Sequence, residues 1–290
     1  MISSRAFIEV TVGVNRMLRF IGTRKVFRMP IPAEGYPLTA AVSPRVQIAT
    51  STGSTNADVV AATSAEPDAW PHLSLLLTTD QRAGRGRLDR SWTAPAGTAL
   101  AISVVLRVSE LPVQFRGWLP LLAGVAMTTS VRAQLPGSGH VAGLKWPNDV
   151  LVDGRKISGI LAEVVPSHPD TIVVGAGINT RMSAVDLPVA TATSFAALGL
   201  ECNDDALLAT FVRELGDEVT RLVGAADTKG ARAEVESVCT TIGSDVVVSL
   251  PDGTRLEGKA ISLDDDGRLV VKTTAGTEAA VAAGDVVHVR

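Results

Sequence analysis

Residues 73–79 and 99–108 are two nearly unbroken apolar runs of strand length. Side chains alternate between the two faces of a strand, so a strand apolar on both faces must be covered on both. An open sheet with one wetted face is therefore excluded for the centre of this chain. Val46-Gln47-Ile48-Ala49 is a shorter β-prone stretch, and Gly53-Ser54-Thr55-Asn56 after it is a turn able to cap a helix over residues 57–65. Residues 118–135 are apolar nearly all round over helical length, which predicts a buried helix. Residues 171–174 predict another core strand, running into a tight turn at Gly175-Ala176-Gly177. Leu207, Leu208, Phe211, Val212, Leu215, Val219 and Leu222 fall on one helical face after an Asn203-Asp204-Asp205 start. Strands interleaved with helices in this way indicate an α/β (α+β) core.

From Ile242 onward the pattern changes to short alternating strands. Val246, Val248 and Leu250 point one way, Pro251-Asp252-Gly253 turns the chain, and Asp264-Asp265-Asp266-Gly267 turns it again. With strands at 269–271 and 287–289, this segment predicts a small SH3-like barrel. The aspartate run lacks the alternating spacing and terminal Glu of a calcium loop and is read as a solvated hairpin turn. Cys202 and Cys239 are far apart, with no CxxC and no histidine pair nearby, so no direct motif names a metal site; reduced thiols are the expectation.

Twenty-seven Lys and Arg oppose 30 Asp and Glu, which leaves no chain-wide cationic field for nucleic acid. Six basic residues and one acid are concentrated in residues 1–28. That start has no long apolar core or small-residue cleavage site, although an Arg-rich targeting segment is an open alternative to a bland extension. Met17 and Met29 are alternative starts to Met1, and the stretch holding Pro30, Pro32 and Pro37 reads as an extended lead-in rather than a helix. Pro, Gly, Arg or Asp punctuates every hydrophobic run, so a spanning helix is not expected.

Between the two apolar runs lies Gln81-Arg82-Ala83-Gly84-Arg85-Gly86-Arg87-Leu88-Asp89-Arg90-Ser91-Trp92, with four arginines around two glycines. Glycines let a backbone approach phosphate closely, and guanidinium forks bind phosphate or carboxylate bidentately. A solvated surface loop fits the same composition, and no GxxxxGK[ST] loop or dinucleotide fingerprint is present. Lys145-Trp146-Pro147-Asn148-Asp149 can present an ammonium into a cleft at a strand end, or be a plain Pro-Asn turn with a snorkelling lysine. Lys156-Ile157-Ser158-Gly159-Ile160-Leu161-Ala162-Glu163 and Gly175-Ala176-Gly177-Ile178-Asn179 are weak alone. No Ser/His/Asp or Cys/His set is recognisable among His72, His140, His168 and His288.

Taken in order, these five segments closely resemble the motif set of biotin protein ligases, from about Val46 to the C-terminus. The resemblance implies a mixed-sheet biotin/lipoate ligase-like catalytic domain over residues 45–238, an SH3-like domain over 239–290, and an N-terminal extension, partly disordered, over 1–44. It implies ATP-dependent joining of biotin to a lysine of a biotin carboxyl carrier domain of an acyl-CoA carboxylase, through biotinyl-adenylate. Lys145 and Arg87 would be catalytic. Ser54, Thr55, Asn56, Gln81, Arg85, Gly86, Arg87 and Lys145 would hold biotin. Gly84, Arg85, Arg90, Trp92, Asn148, Lys156 and Asn179 would hold the nucleotide, with Mg²⁺ accompanying ATP. Asp89 stands where the family loop commonly has Gly, which lowers the loop's net charge.

Two other functions share parts of this pattern: a lipoate or octanoate ligase or transferase of the same fold, and a non-enzymatic regulator that binds the adenylate. The Arg/Gly loop together with Lys-Trp-Pro-Asn-Asp argues against the first. The second, in its DNA-binding form, needs a helix-turn-helix, and the Pro-interrupted residues before the core lack two capped helices. A third reading has the barrel binding a separate partner, and its acidic turn argues against nucleic acid. The expectation is a cytoplasmic protein without DNA or membrane partners, a monomer or weak dimer. Its Arg/Gly loop has little apolar surface with which to order itself and is expected to close on an anion.

Overall fold

The computed structural model describes residues 35–87, 90–250, 253–282 and 284–289. Expectations for residues 1–34, for Asp89 and for the Pro251-Asp252 half of a turn lie outside them. The larger unit is built on a seven-stranded mixed sheet. Its strands are β1 (Val46–Ile48), β2 (Leu75–Thr78), β5 (Ala99–Arg107), β6 (Ala142–Lys145), β7 (Asp149–Val152), β8 (Arg155–Val165) and β9 (His168–Asn179). A two-stranded ribbon, β3 (Gly84–Arg85) with β4 (Ser91–Trp92), interrupts them in sequence. The spatial order is β1-β2-β5-β9-β8-β7-β6, with β1 and β2 parallel and the remaining neighbours antiparallel.

Both faces of this sheet are covered, as the apolar runs require. Leu76, Val105 and Val173 pack with Val59 of α2 (Thr55–Ala65) on one face. Leu75, Leu77, Val104, Leu106, Ile172 and Val174, one residue out of step, face α3 (Leu119–Arg132) and α4 (Asp204–Val223) on the other. Helix α3 is buried over most of its surface, since it lies between the sheet, α4 and α5 (Lys229–Val238).

Three local expectations are corrected. Pro37 is not part of an extended lead-in but begins a short helix, α1 (Pro37–Ala40), because a proline at the first helical position loses no internal hydrogen bond. The Asp205 carboxylate accepts the N–H groups of Leu38 (2.9 Å) and Thr39 (2.8 Å), and Tyr36 is buried, so this segment packs on α4. Helix α2 starts at Thr55 rather than Ala57, capped by Ser54 Oγ. Gly175-Ala176-Gly177 is not a turn, since β9 runs straight through it to Asn179.

The C-terminal unit is a five-stranded antiparallel sheet of β10 (Asp245–Ser249), β11 (Arg255–Leu263), β12 (Leu269–Thr273), β13 (Glu278–Val281) and β14 (Asp285–His288), in the order β13-β12-β11-β10-β14. A bulge between Ala260 and Ser262 bends β11. Val246 and Val248 point inward as expected, and in β14 Val286 is the buried residue, with Val287 and Val289 exposed. The acidic turn between β11 and β12 is a hairpin with Asp265 and Asp266 exposed, as expected, but two of its carbonyls are taken up by indoles. Trp118 Nε1 donates to Asp265 O (2.9 Å) and Trp146 Nε1 to Gly267 O (3.1 Å), which docks the turn on the larger unit. No group of three or more metal-ligating side chains lies together among the described residues, and both cysteines are free. No helix among them is long and apolar enough to cross a membrane.

Candidate active site

One cleft gathers most of the residues singled out from the sequence. Ser54, Thr55, Asn56, Gln81, Arg85, Gly86, Arg87, Arg90, Trp92, Lys145, Asn148 and Lys156 all line it. Gly84 and Asn179 do not. Gly84 is pressed against Gln81 and the backbone of Trp92, where a Cβ would come within 2.5 Å of Trp92 O. Asn179 is buried at the end of β9 and donates through Nδ2 to Thr193 O (2.9 Å).

The floor of the cleft is β9 with the N-terminus of α2 above it. Gly175 and Gly177 are needed in this strand because the side chains over them approach the backbone itself. A Cβ on Gly175 would lie 2.3 Å from Asn56 Oδ1, and one on Gly177 would lie 2.5 Å from Trp92 Cε2. Asn56 is nearly fully buried and satisfied on both ends of its amide. Its Nδ2 donates to Leu161 O (3.1 Å) and Glu163 Oε2 (2.8 Å), while Oδ1 accepts from Ser103 Oγ (2.6 Å). Gln81 Oε1 accepts from Thr55 N (2.9 Å). This network fixes the polar end of the cleft before any ligand arrives.

Cations surround the opening, and several are held by carboxylates. Arg85 pairs with Glu163 (2.9 Å), Lys156 with Asp149 (2.6 Å), and Arg90 with Asp285 (2.7 Å). Lys156 also stands over the Trp92 ring, 5.7 Å from its centroid. Arg87 and Lys145 differ. Arg87 Nη1 donates to Asn148 Oδ1 at 3.3 Å, and burial disfavours its charge. Among the described residues neither Arg87 nor Lys145 has a carboxylate within ion-pair distance, although both are half-buried in the cleft. Asp149 and Asp285 attract Arg87, and Asp285 feels Lys145, only across the cleft rather than in direct pairs, which leaves both cations able to meet an anionic ligand.

Lys145 ends β6, and its position is tied to the C-terminal unit. Thr240 N donates to Leu144 O (2.8 Å), and Trp146 N donates to Thr241 Oγ1 (3.0 Å), which also contacts His288 Nε2 (3.1 Å). Burial, and then the charge of Lys145, push the His288 imidazole below the ordinary histidine range, so it is neutral at pH 7.

Sequence reasoning missed Ser103, Glu163 and Asp285 as contributors. Ser103 did carry a signal, being a hydroxyl inside an otherwise apolar run. Glu163 closes the Lys156 segment but nothing local marks it as the partner of Arg85 and Asn56. Asp285 lies 195 residues from Arg90, with no sequence feature connecting them.

Residues 48–179 match the model of the biotin/lipoate A/B protein ligase family, and residues 241–289 that of the biotin protein ligase C-terminal domain. The chain is 39% identical over 249 residues to a biotin--[acetyl-CoA-carboxylase] ligase of Mycobacterium tuberculosis, covering 85% of this chain and 90% of that protein. It is 32% identical over 216 residues to the bifunctional ligase/repressor BirA of Bacillus subtilis, a match that spans 71% of this chain and 63% of that protein. Among solved structures, a biotin protein ligase from Aquifex aeolicus in complex with biotin and ATP superposes with a TM-score of 0.69. At 23% identity, over 84% of this chain and 99% of that one, this likeness shows the shared fold.

Proposed function

Because the chain belongs to the biotin protein ligase family, we infer that it joins biotin to a lysine of a biotin carboxyl carrier domain at the expense of ATP. In the first step a biotin carboxylate oxygen attacks the α-phosphorus of ATP and pyrophosphate leaves, giving biotinyl-5'-AMP. In the second the neutral ε-amine of the acceptor lysine attacks the acyl carbon and AMP leaves. Both reactants of the first step are anions, so the protein's task is to neutralise their repulsion and hold them in line.

The observation that carries this reading is a pair of half-buried cations, Lys145 and Arg87, with no directly paired carboxylate among the described residues, over a hydrogen-bonded polar floor. Lys145 would sit where carboxylate and α-phosphate meet, and Arg87 would close over the same atoms from the ribbon side. Ser54, Thr55, Asn56 and Gln81 would meet the ureido end of biotin, with Arg85 and Gly86 beside its carboxylate. Trp92, Asn148, Lys156 and Arg90 would take the nucleotide side. Asn179, facing Thr193, is in position to support the end of β9 rather than to touch phosphate. Mg²⁺ would arrive with ATP and be held chiefly by phosphate oxygens. The cleft offers oxygen ligands for it in Asp149, on exchange for Lys156, and in Asn148. Its chemistry would be to withdraw charge from the leaving pyrophosphate. The proposed partition is a catalytic domain over residues 45–238 and a barrel over 239–290, and the bonds from Leu38 and Thr39 to Asp205 support extending the first back to residue 35.

The deciding measurement is the intact mass of a purified carboxyl carrier domain after incubation with the chain, ATP and Mg²⁺, with biotin or lipoate as the acid. One biotinyl adduct, and none with lipoate, is the expected result; the reverse would assign the lipoate branch of the family. A second expectation concerns the Arg/Gly segment, whose arginines stand at the mouth of the cleft. Biotin with ATP should protect the bonds after Arg85, Arg87 and Arg90 from trypsin, because a ligand bound to those side chains lowers the cleavable population. Equal cleavage rates with and without ligands would detach these arginines from ligand binding.

A further inference from the structure

The C-terminal unit contributes a carboxylate to a cleft built to bind anions. Asp285 opens β14 and lines the cleft, and an acid there, taken alone, repels a nucleotide. Its charge is not left alone. Arg90 donates Nη2 to Asp285 Oδ2 (2.7 Å) and Nη1 to Oδ1 (3.3 Å), a two-point contact that fixes the plane of the guanidinium. The hydrogen bond from Arg90, and beyond it the charges of Lys145 and Lys156, hold the Asp285 carboxyl below the usual carboxylate range.

The two ends of this contact differ in how firmly they are built. Asp285 pairs with Ser249 in the β10–β14 ladder, within a unit anchored by the Trp118 and Trp146 indoles. Arg90 precedes a strand of only two residues, and its backbone bonds return to its own segment, accepting from Gly86 N (2.6 Å) and donating to Arg87 O (3.2 Å). The anchored end therefore sets the orientation of the other. We propose that Asp285 is a positioning residue for the first half-reaction, acting through Arg90 by aiming its guanidinium at the nucleotide.

This assignment rests on the ligase reading above, and its test separates the two. Biotin-dependent exchange of pyrophosphate into ATP is measured on the full chain and on Asp285→Asn, Asp285→Glu, Arg90→Ala and the Arg90→Ala/Asp285→Asn double variant. Both side chains of the pair are well exposed, Arg90 at 60% and Asp285 at 43%, which limits its weight. Asp285→Asn is accordingly expected to raise the KM for ATP by about two- to fivefold, with the KM for biotin unmoved. Asp285→Glu should recover part of the loss, and the double variant should match Arg90→Ala, since the effect passes through one guanidinium. A lower KM for ATP in Asp285→Asn would show that the carboxylate merely repels the nucleotide. An unchanged KM, additive losses in the double variant, or a rise in both KM values with a lowered melting temperature would each overturn the assignment. A wild-type chain that exchanges nothing in the presence of biotin would instead remove the ligase reading, and this one with it.

Discussion

Lys145→Ala is expected to slow biotinyl-adenylate formation by about 10²–10³-fold, the scale of losing one preorganised electrostatic contact to a developing charge. The ammonium ends β6 in a half-buried position and, among the described residues, has no carboxylate to give up when the substrates arrive. No direct ion pair would have to break for it to meet a developing charge. Little of the fold depends on it, so unfolding free energy should stay within about 0.5 kcal/mol of the parent. Lys145→Arg keeps the charge but replaces a compact ammonium by a planar fork, and should recover only part of the rate. Single-turnover measurement of adenylate checks this. A Lys145→Ala chain that forms adenylate at the parent rate would take the residue out of the chemistry.

Trp118→Ala is expected to cost about 3–5 kcal/mol of stability, read from the shift in urea midpoint. The indole is fully buried and belongs to the main core. Truncation leaves a cavity at the seam between the catalytic region and the C-terminal unit, and it also removes the donor to Asp265 O. That carbonyl keeps one partner, Thr228 Oγ1 at 3.1 Å, so the lost hydrogen bond is the smaller part of the effect. Trp118→Phe, which retains most of the packing and lacks the N–H, should accordingly cost about 1 kcal/mol. A loss below about 1 kcal/mol for the alanine variant would mean that the seam is held elsewhere.

The parts of this fold that were legible are those whose pattern depends on burial alone. Strands β2, β5 and β9 read as continuous apolar runs because helices cover both of their faces, and α4 announced itself through one apolar face behind an Asn203 cap. What misled was residue type where local preference and tertiary demand diverge. Gly175 and Gly177 look like a turn, yet the sheet needs them because Asn56 and Trp92 press against its backbone. Pro37 looks like a break, yet it serves as a first helical residue on a carboxylate, Asp205, lying more than 160 positions away. In the cleft, residues that act through their own charge were visible as motif members. Those that act by pairing with them, Glu163 and Asp285, become visible only when distant strands are brought together. The hydroxyl of Ser103 is intermediate, conspicuous in its apolar run but mute about its partners.

The cleft joins two kinds of structure with very different resistance to local opening. Its floor, β9, is hydrogen-bonded along most of its length to β5 on one side and β8 on the other, with packed side chains above and below. Amide protons there are expected to exchange among the slowest in the domain, close to the limit set by its global unfolding. Its wall, the β3–β4 ribbon, is a pair of two-residue strands with no further strand beside it among the described residues. Opening that wall breaks two main-chain strand pairs and the side-chain contacts of Arg85, Arg87 and Arg90, and lifts Trp92 off Gly177, without breaking the hydrogen-bonded ladders of β9. On the proposed assignment of the site, exchange of AMP for new substrates would then pass the least protected part of the molecule, while Asn56 and its partners on the floor keep their places.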